Sequence, residues 1–251
     1  MLIPGLVLRL RYFRKRSISN IARGLPSAND TYNYFEYQFR FRTRRRYWIH
    51  SRFFKQAQRG FGEPAFHAFW EHLFAEFHPK HCLEIGVYRG QILSLWTLLQ
   101  RDFKICGSIV GITPLSSAGD NQSNYPEIDY RTDIQHNFRL WDLSEPSIIA
   151  ENSNSSMAIA AIKKTQWDLI YIDGCHELEV VQSDFLVSLD SLCIGGLLVL
   201  DDSSLFQARI QKAHAFAGHY GPSIVAETLA KSKMVHLLRL GHLNLFKKHE
   251  M

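Results

Sequence analysis

The stretch Trp167-Asp168-Leu169-Ile170-Tyr171-Ile172-Asp173-Gly174-Cys175-His176 decides how this chain folds. Its apolar half predicts a buried parallel strand, which ends in an acid, a glycine and a histidine. A second apolar run over residues 195–200 ends in the same way, in Asp201-Asp202. Carboxylates at the carboxyl ends of parallel strands lie in the crevice where open α/β sheets bind their ligands. The pattern therefore predicts an enzyme, with a divalent cation between the two strand ends and His176 beside it as a base.

The composition is that of one folded domain with an appendage. The chain has 251 residues, of which 46% are hydrophobic and 21% are charged. Its four cysteines have neither CxxC nor zinc-finger spacing, which predicts reduced thiols. No apolar run is long enough to cross a bilayer, and the basic residues follow the short apolar start instead of preceding it. We therefore expect a cytoplasmic protein.

Positive charge is concentrated in residues 1–60, where fourteen Lys and Arg stand against Asp30 and Glu36. Residues 61–251 hold fifteen basic and twenty-two acidic residues. The basic segment is also rich in aromatic residues, and three interpretations of it stay open: contact with an anionic inner membrane surface or a lipid-linked substrate, contact with nucleic acid, or packing and homo-oligomer assembly. Without an RNA-binding or helix-turn-helix signature, nucleic acid is the weakest of the three.

Beyond residue 60, strand-like and helical patterns alternate. The predicted strands are residues 82–85, 108–112, 147–150, 168–172 and 197–200, with a final hairpin of residues 234–240 and 243–246. The predicted helices are residues 65–74, 91–99, 157–162 and 178–192, and one around residues 206–216. This order predicts an α/β fold, a Rossmann-like doubly wound and mostly parallel sheet of seven strands, the last one antiparallel, with helices on both faces. A basic helical arm of residues 1–60 precedes this domain of residues 61–251.

The first strand-to-helix turn carries a glycine motif. Glu84-Ile85-Gly86-Val87-Tyr88-Arg89-Gly90 has the form E-x-G-x-x-x-G. Glycines let the backbone turn tightly and approach a ligand, and the following helix presents free N–H groups to an anionic ligand. A purely structural turn is the alternative.

These residues resemble the nucleotide-binding motif of class I S-adenosylmethionine-dependent methyltransferases. The strand order with its terminal hairpin is similar to that fold as well. More narrowly, residues 171–176 with Gly195-Gly196 and Asp201-Asp202 resemble the metal-dependent sugar O-methyltransferases and the cephalosporin-hydroxylase-like methyltransferases. The resemblance covers roughly residues 63–246. It implies a transferase that moves a methyl group from S-adenosylmethionine to a hydroxyl of a sugar or another polyhydroxylated acceptor, a small molecule or a glycan.

The resemblance also implies site residues. Asp173, Asp201 and Asp202 would bind Mg²⁺, and His176 would be the general base, with Asp173 counted among the catalytic residues. Magnesium prefers such oxygen ligands, and a bound cation acidifies a chelated hydroxyl. The expected cofactor-binding residues are Glu84, Gly86, Tyr88, Gly90, Thr113, Asp120, Asn152 and Ser153.

One position departs from the family pattern. Most class I methyltransferases end the second strand in an acid that holds the ribose, whereas this chain has Thr113 there. Either Asp120 from the following loop or Thr113 itself would then contact the ribose.

Alternatives accompany these assignments. Any one of the three aspartates would also serve as a helix cap, and so would Asn152 or Ser153. His214, His219, His236 and His242 lack ligand spacing and are expected to be structural or exposed, with a substrate-side loop as the other interpretation for His219. Tyr125, Tyr130, Phe138 and Trp141 are expected to pack in the core or in loops. The competing functions are a nicotinamide-dependent oxidoreductase, a metal-independent methyltransferase and a non-catalytic cofactor-binding domain.

Overall fold

The computed structural model of the chain describes residue 12 and residues 15–25, 27–117, 125–207 and 217–250. Its strands are β1 (His81–Ile85), β2 (Ser108–Ile112), β3 (Ser147–Ile149), β4 (Trp167–Ile172), β5 (Leu192–Leu200), β6 (Val235–Leu240) and β7 (Leu243–Lys247). They form one sheet in the order β3-β2-β1-β4-β5-β7-β6. Strands β1 to β5 pair in parallel, and β7 is antiparallel to both β5 and β6. The predicted fold class is confirmed.

The helices lie on both faces of this sheet. They are α1 (Ile18–Gly24), α2 (Ala28–Phe41), α3 (Arg45–Lys55), α4 (Pro64–Phe77), α5 (Gln91–Phe103), α6 (Tyr130–Leu140), α7 (Ser156–Lys163), α8 (Leu178–Ser191), α9 (Tyr220–Ile224) and α10 (Lys231–Lys233), with a 3₁₀ turn at Gln56–Gln58 and a π-helical Val225–Ala230. Helix α6 is missing from the sequence prediction, although Asp129 caps it by accepting a hydrogen bond from the Thr132 amide. The helix expected around residues 206–216 lies mostly outside the described residues.

Alternating side chains along the strands divide the core into two layers. In β4, Leu169 and Tyr171 point toward α4 and α5, whereas Ile170 and Ile172 point toward α7 and α8. The first layer is aromatic, since the ring of Trp70 lies 5.2 Å from that of Tyr171 in an edge-on contact. Both faces of the central strands are therefore buried, as an apolar parallel strand requires.

The helices of the basic segment contribute to the first layer. Tyr34 and Phe35 of α2 belong to this layer and are fully buried, and Phe54 of α3 is fully buried as well. The buried Tyr47 donates a hydrogen bond of 2.6 Å from its hydroxyl to Asp102 Oδ2 on α5. Packing thus accounts for many of the aromatic residues in this segment. The domain boundary at residue 60 stays a prediction.

The outer face of α3 is exposed and basic. Trp48 and Ile49 are 43% and 42% exposed, and the Arg52 guanidinium lies 5.1 Å from the centre of the Trp48 ring. The guanidinium groups of Arg44 and Arg46 contact Asp102. An anionic surface or a second subunit as the partner of this face stays a prediction. Among the described residues, no helix combines the length and the apolar character that crossing a bilayer requires.

The ends of β1 and β4 approach each other closely. The amide of Asp173 donates a hydrogen bond of 2.8 Å to the Ile85 carbonyl, directly before Gly86. Gly86 has a φ of +102°, and a Cβ built there would lie 2.1 Å from the Asp173 carbonyl oxygen. Only glycine fits this position without moving the backbone, because both the space and the dihedral angle exclude a side chain.

Replacing Gly86 should therefore destabilise the fold. We expect Gly86→Ala to lower the free energy of unfolding by roughly 3 kcal/mol, from backbone strain and overpacking together. Gly174→Ala is the matched control, because its Cβ would meet its nearest neighbours at an ordinary 3.6 Å. Urea unfolding of both variants measures the difference, and equal midpoints would contradict this account.

Candidate active site

Two adjoining cavities open at the carboxyl ends of the parallel strands. The first has a volume of about 260 Å³ and lies over β1, β2 and β3. The second has a volume of about 360 Å³ and lies over β1, β4 and β5. Gly86, Tyr88, Tyr125 and Asp173 line both cavities. The sheet order changes direction between β1 and β4, so this is the crevice where an open α/β sheet binds its ligands.

Most of the expected cofactor-binding residues line the first cavity. Gly86, Tyr88, Thr113, Asn152 and Ser153 line it. Glu84 lines the second cavity instead. Gly90 precedes α5 with a φ of +80° and is not among the residues that line either cavity. Asp120 lies outside the described residues.

The polar contacts of this cavity show whether Asn152 or Ser153 caps the following helix. Helix α7 is capped by Ser155, whose hydroxyl accepts a hydrogen bond of 3.1 Å from the Ala158 amide. Capping therefore does not account for Asn152 and Ser153. The Ser153 hydroxyl donates a hydrogen bond of 3.0 Å to Asp184 Oδ2 on α8, while Thr113 Oγ1 accepts one from the Leu115 amide.

An aromatic group lies where the two cavities meet. The Tyr88 ring stacks on Phe61 and lies tilted against Tyr125, with 5.1 Å between ring centres in each pair. Phe61 is 67% exposed and lines the second cavity. Tyr125 and Tyr130 were expected to pack in the core or in loops, and both also line the first cavity. Phe138 and Trp141 are packing residues as expected: Phe138 is fully buried, and the ring of Trp141 lies against His50.

The register of the sheet brings three aspartates to the second cavity. Ile172 pairs with Leu200, so the next residues, Asp173 and Asp201, leave neighbouring strands side by side. The Tyr171 hydroxyl lies 2.9 Å from Asp173 Oδ2 and also contacts Asp201 Oδ2. Asp202 follows with a φ of +49°, a left-handed conformation that aspartate adopts more readily than most residues. The three acids and His176 all line this one cavity.

The electrostatics of this cavity are strongly acidic. Burial, and then repulsion from Asp201 and Asp202, raise the pKa of Asp173 well above its ordinary value. Burial also raises the pKa of Asp201, and His242 opposes that shift. The cavity also contains the carboxyl of Glu84, which is buried, and burial raises its pKa well above the ordinary value. No Lys or Arg is found among the described residues that line the cavity, so the site is suited to a cation.

Histidines surround Asp202. His176 Nε2 lies 2.9 Å from Asp202 Oδ2, and the His176 ring lies 4.0 Å from that of His219. His242 Nε2 lies 3.3 Å from Asp201 Oδ1 and 3.7 Å from Asp202 Oδ1. Of the two expectations for His242, an exposed position is wrong: the residue is buried and lines the acidic cavity. Spacing along the chain gives no sign of this contact, which depends on the pairing of β7 with β5.

Comparison with known proteins agrees with this geometry. Residues 83–203 match a family model described as a methyltransferase domain. No curated protein matches the sequence. The fold is similar to that of a putative caffeoyl-CoA O-methyltransferase from Staphylococcus aureus, with a TM-score of 0.59 and 14% identity over 80% of this chain and 91% of that chain. It is also similar to SAH-bound Podospora anserina methyltransferase PaMTH1, with a TM-score of 0.58 and 14% identity over 83% and 89% of the two chains.

A third solved structure is MycE methyltransferase from the mycinamycin biosynthetic pathway, in complex with Mg and SAH. Its TM-score is 0.50, with 17% identity over 80% of this chain and 54% of that chain. At such identities the likeness establishes a shared fold. Together with the family match over residues 83–203, it supports an S-adenosylmethionine-dependent methyltransferase with the class I fold. The oxidoreductase and the non-catalytic domain are therefore set aside.

The buried Asp184 behind Ser153 makes stability depend on pH. Burial raises its pKa from 3.8 to about 6, against the opposing hydrogen bond from Ser153. Between about pH 4 and pH 6 the carboxyl of Asp184 is ionised in the unfolded chain but still protonated in the folded one. The free energy of unfolding should therefore fall by about 3 kcal/mol as the pH rises through this range.

Asp184→Asn should remove that dependence, and Asp190→Asn, at an exposed position of the same helix, should keep it. Urea unfolding across this pH range measures both variants. A slope that Asp184→Asn leaves unchanged would contradict the assignment.

Proposed function

We propose that the chain is an O-methyltransferase that uses a divalent cation, Mg²⁺ in the first instance, to methylate a hydroxyl of a sugar or another polyhydroxylated small molecule. The observation that carries this proposal is the shared wall of the two cavities. Gly86 and Asp173 line both, so a methyl donor in the first cavity would meet an acceptor in the second. Placing oxygen, methyl carbon and sulfur on one line is most of what an enzyme contributes to this displacement.

The first cavity suits S-adenosylmethionine, whose sulfonium would supply an electrophilic methyl group. Thr113, Asn152 and Ser153 offer polar groups to the adenosine part. Glu84 lines the adjoining second cavity, and within the described part of the chain its buried Oε2 accepts no hydrogen bond. An ammonium group beside it would satisfy that oxygen, and the amino acid part of the cofactor carries one. PaMTH1 and MycE, in which SAH is bound, support this reading.

The second cavity suits a divalent cation, which Asp173, Asp201 and Asp202 would hold through carboxylate oxygens. Three acids near one another, with Asp201 buried and the other two partly buried, are costly without a positive charge, and the described lining of the cavity contains no Lys or Arg to provide it. A bound cation would lower the pKa of an acceptor hydroxyl. The presence of Mg in the MycE complex supports the assignment.

His176 is the proposed general base. If its Nε2 carries a proton toward Asp202 Oδ2, 2.9 Å away, then Nδ1 is the basic nitrogen. Asp202 would then orient the imidazole and stabilise the imidazolium that forms when the acceptor loses its proton. The rings of Phe61, Tyr88 and Tyr125 offer faces on which an acceptor ring would pack.

A chelation experiment tests the proposed function. Hydroxylated acceptors are screened with labelled S-adenosylmethionine, and the best one is assayed after chelation and dialysis. We expect turnover to disappear and to return when Mg²⁺ is added, since the acceptor hydroxyl stays protonated without the cation. Full turnover in chelated, metal-free protein would favour the metal-independent alternative.

His176→Ala tests the base. The variant should bind S-adenosylmethionine normally by calorimetry but lose about 10²- to 10⁴-fold in kcat, which is the usual contribution of general base catalysis. His136→Ala, at an exposed position on α6, is the control and should keep full activity. If His176→Ala retains the wild-type rate, another group is the base.

A further inference from the structure

We infer that His242 is an additional ligand of the divalent cation, so that the site combines carboxylate oxygens with an imidazole nitrogen. This inference rests on the proposed cation site and extends it. Nothing in the resemblance implies His242, which lies in the turn between β6 and β7, outside the residues that match the methyltransferase family model.

The distances suit one coordination sphere. His242 Nε2 lies 3.3 Å from Asp201 Oδ1 and 3.7 Å from Asp202 Oδ1, and one ligand atom from each of the three residues lies within 4.8 Å of the others. Bonds of about 2.1 Å at right angles place neighbouring ligand atoms about 3 Å apart, and opposite ones about 4.2 Å apart. An ion would therefore need only small side-chain movements to contact all three atoms.

The fold holds the imidazole in place. Strand β7 pairs antiparallel with β5, Asn244 opposite Leu200, so the β6–β7 turn returns to the point where Asp201 begins. The Ser203 amide donates a hydrogen bond of 2.8 Å to the His242 carbonyl, which ties the turn to the chain after Asp202. Phe66 packs edge-on against the imidazole, with 4.9 Å between ring centres. A ligand fixed in this way loses little freedom when an ion binds.

Asp202 lies between two histidine groups. Its Oδ1 faces His242, and its Oδ2 faces His176. His176, Asp202 and His219 form a second group whose ligand atoms also lie within 4.8 Å of one another. We assign the cation to the group of Asp201, Asp202 and His242. Asp201 belongs to this group, and the Tyr171 hydroxyl, which contacts both Asp201 and Asp173, connects it to the third aspartate. This leaves His176 available for its proposed role as the base.

The nitrogen ligand changes which ions the site prefers. Imidazole binds Mn²⁺, Co²⁺ and Zn²⁺ more readily than Mg²⁺, which favours oxygen. His242 should therefore raise the affinity of the site for Mn²⁺ relative to Mg²⁺. A protonated His242 that merely forms an ion pair with Asp201 would have no such effect.

The experiment uses Mn²⁺ as the probe on the metal-depleted full-length chain. Electron paramagnetic resonance measures binding, and electron spin echo modulation detects a nitrogen bonded to the ion. We expect wild-type protein to show a histidine nitrogen signal. His242→Gln should lose the signal and bind Mn²⁺ at least about tenfold more weakly. His219→Gln is the matched control and should keep both the signal and the affinity.

The wild-type spectrum alone decides the central point, even if a variant folds poorly. Bound Mn²⁺ without a nitrogen signal would overturn the role of His242 while leaving the oxygen site intact. A nitrogen signal that persists in His242→Gln but disappears in His219→Gln would overturn the role of His242 and place the ion at the group of His176, Asp202 and His219. If wild-type protein fails to bind Mn²⁺ or Mg²⁺, the proposed cation site and this inference both fall.

Discussion

The pairing of β4 with its two neighbours is the constraint on which the site depends. Because Ile172 lies beside Ile85 on one side and beside Leu200 on the other, the three strands end at the same level. Asp173 therefore leaves β4 next to Gly86 and next to Asp201. A shift of one residue in either pairing would turn these side chains to opposite faces of the sheet. The close backbone contact at Gly86 helps to hold this register.

The same convergence carries an electrostatic cost. Asp201 is buried and Asp173 is partly buried close to it, and burial is the largest contribution to the raised pKa of both. Tyr171, which lies in β4 two residues before Asp173, contacts both carboxyls through its hydroxyl. Asp201 also accepts a hydrogen bond of 2.8 Å from the Asp202 amide, but burial still opposes ionisation of both acids, so the folded chain holds this site at the expense of its own stability. Such a cost is typical of a functional site.

The segment before the methyltransferase-like core belongs to the same packing unit as the site. Helices α2 and α3 bury their aromatic side chains beside α4 and α5, and the chain then passes over the second cavity at Phe61. The Gly62 amide donates a hydrogen bond of 2.9 Å to Gln91 Oε1 at the start of α5, which ties this passage to the glycine turn. The second cavity is thus built partly by residues outside the family match.

The sequence by itself determined the strands, their alternation with helices in a mostly parallel sheet, and the acids at the strand ends. Local pattern was enough for this, because a strand flanked by turn residues and followed by an acid is recognised over a few residues. The glycine turn was readable for the same reason. Only the tertiary structure decided that His242 meets Asp201 and that Phe61 reaches Tyr88, since these contacts join segments far apart in the chain. The contact of His242 depends on the antiparallel pairing of β7 with β5, and that of Phe61 on the packing of the N-terminal helices. The periodicity within one segment encodes neither.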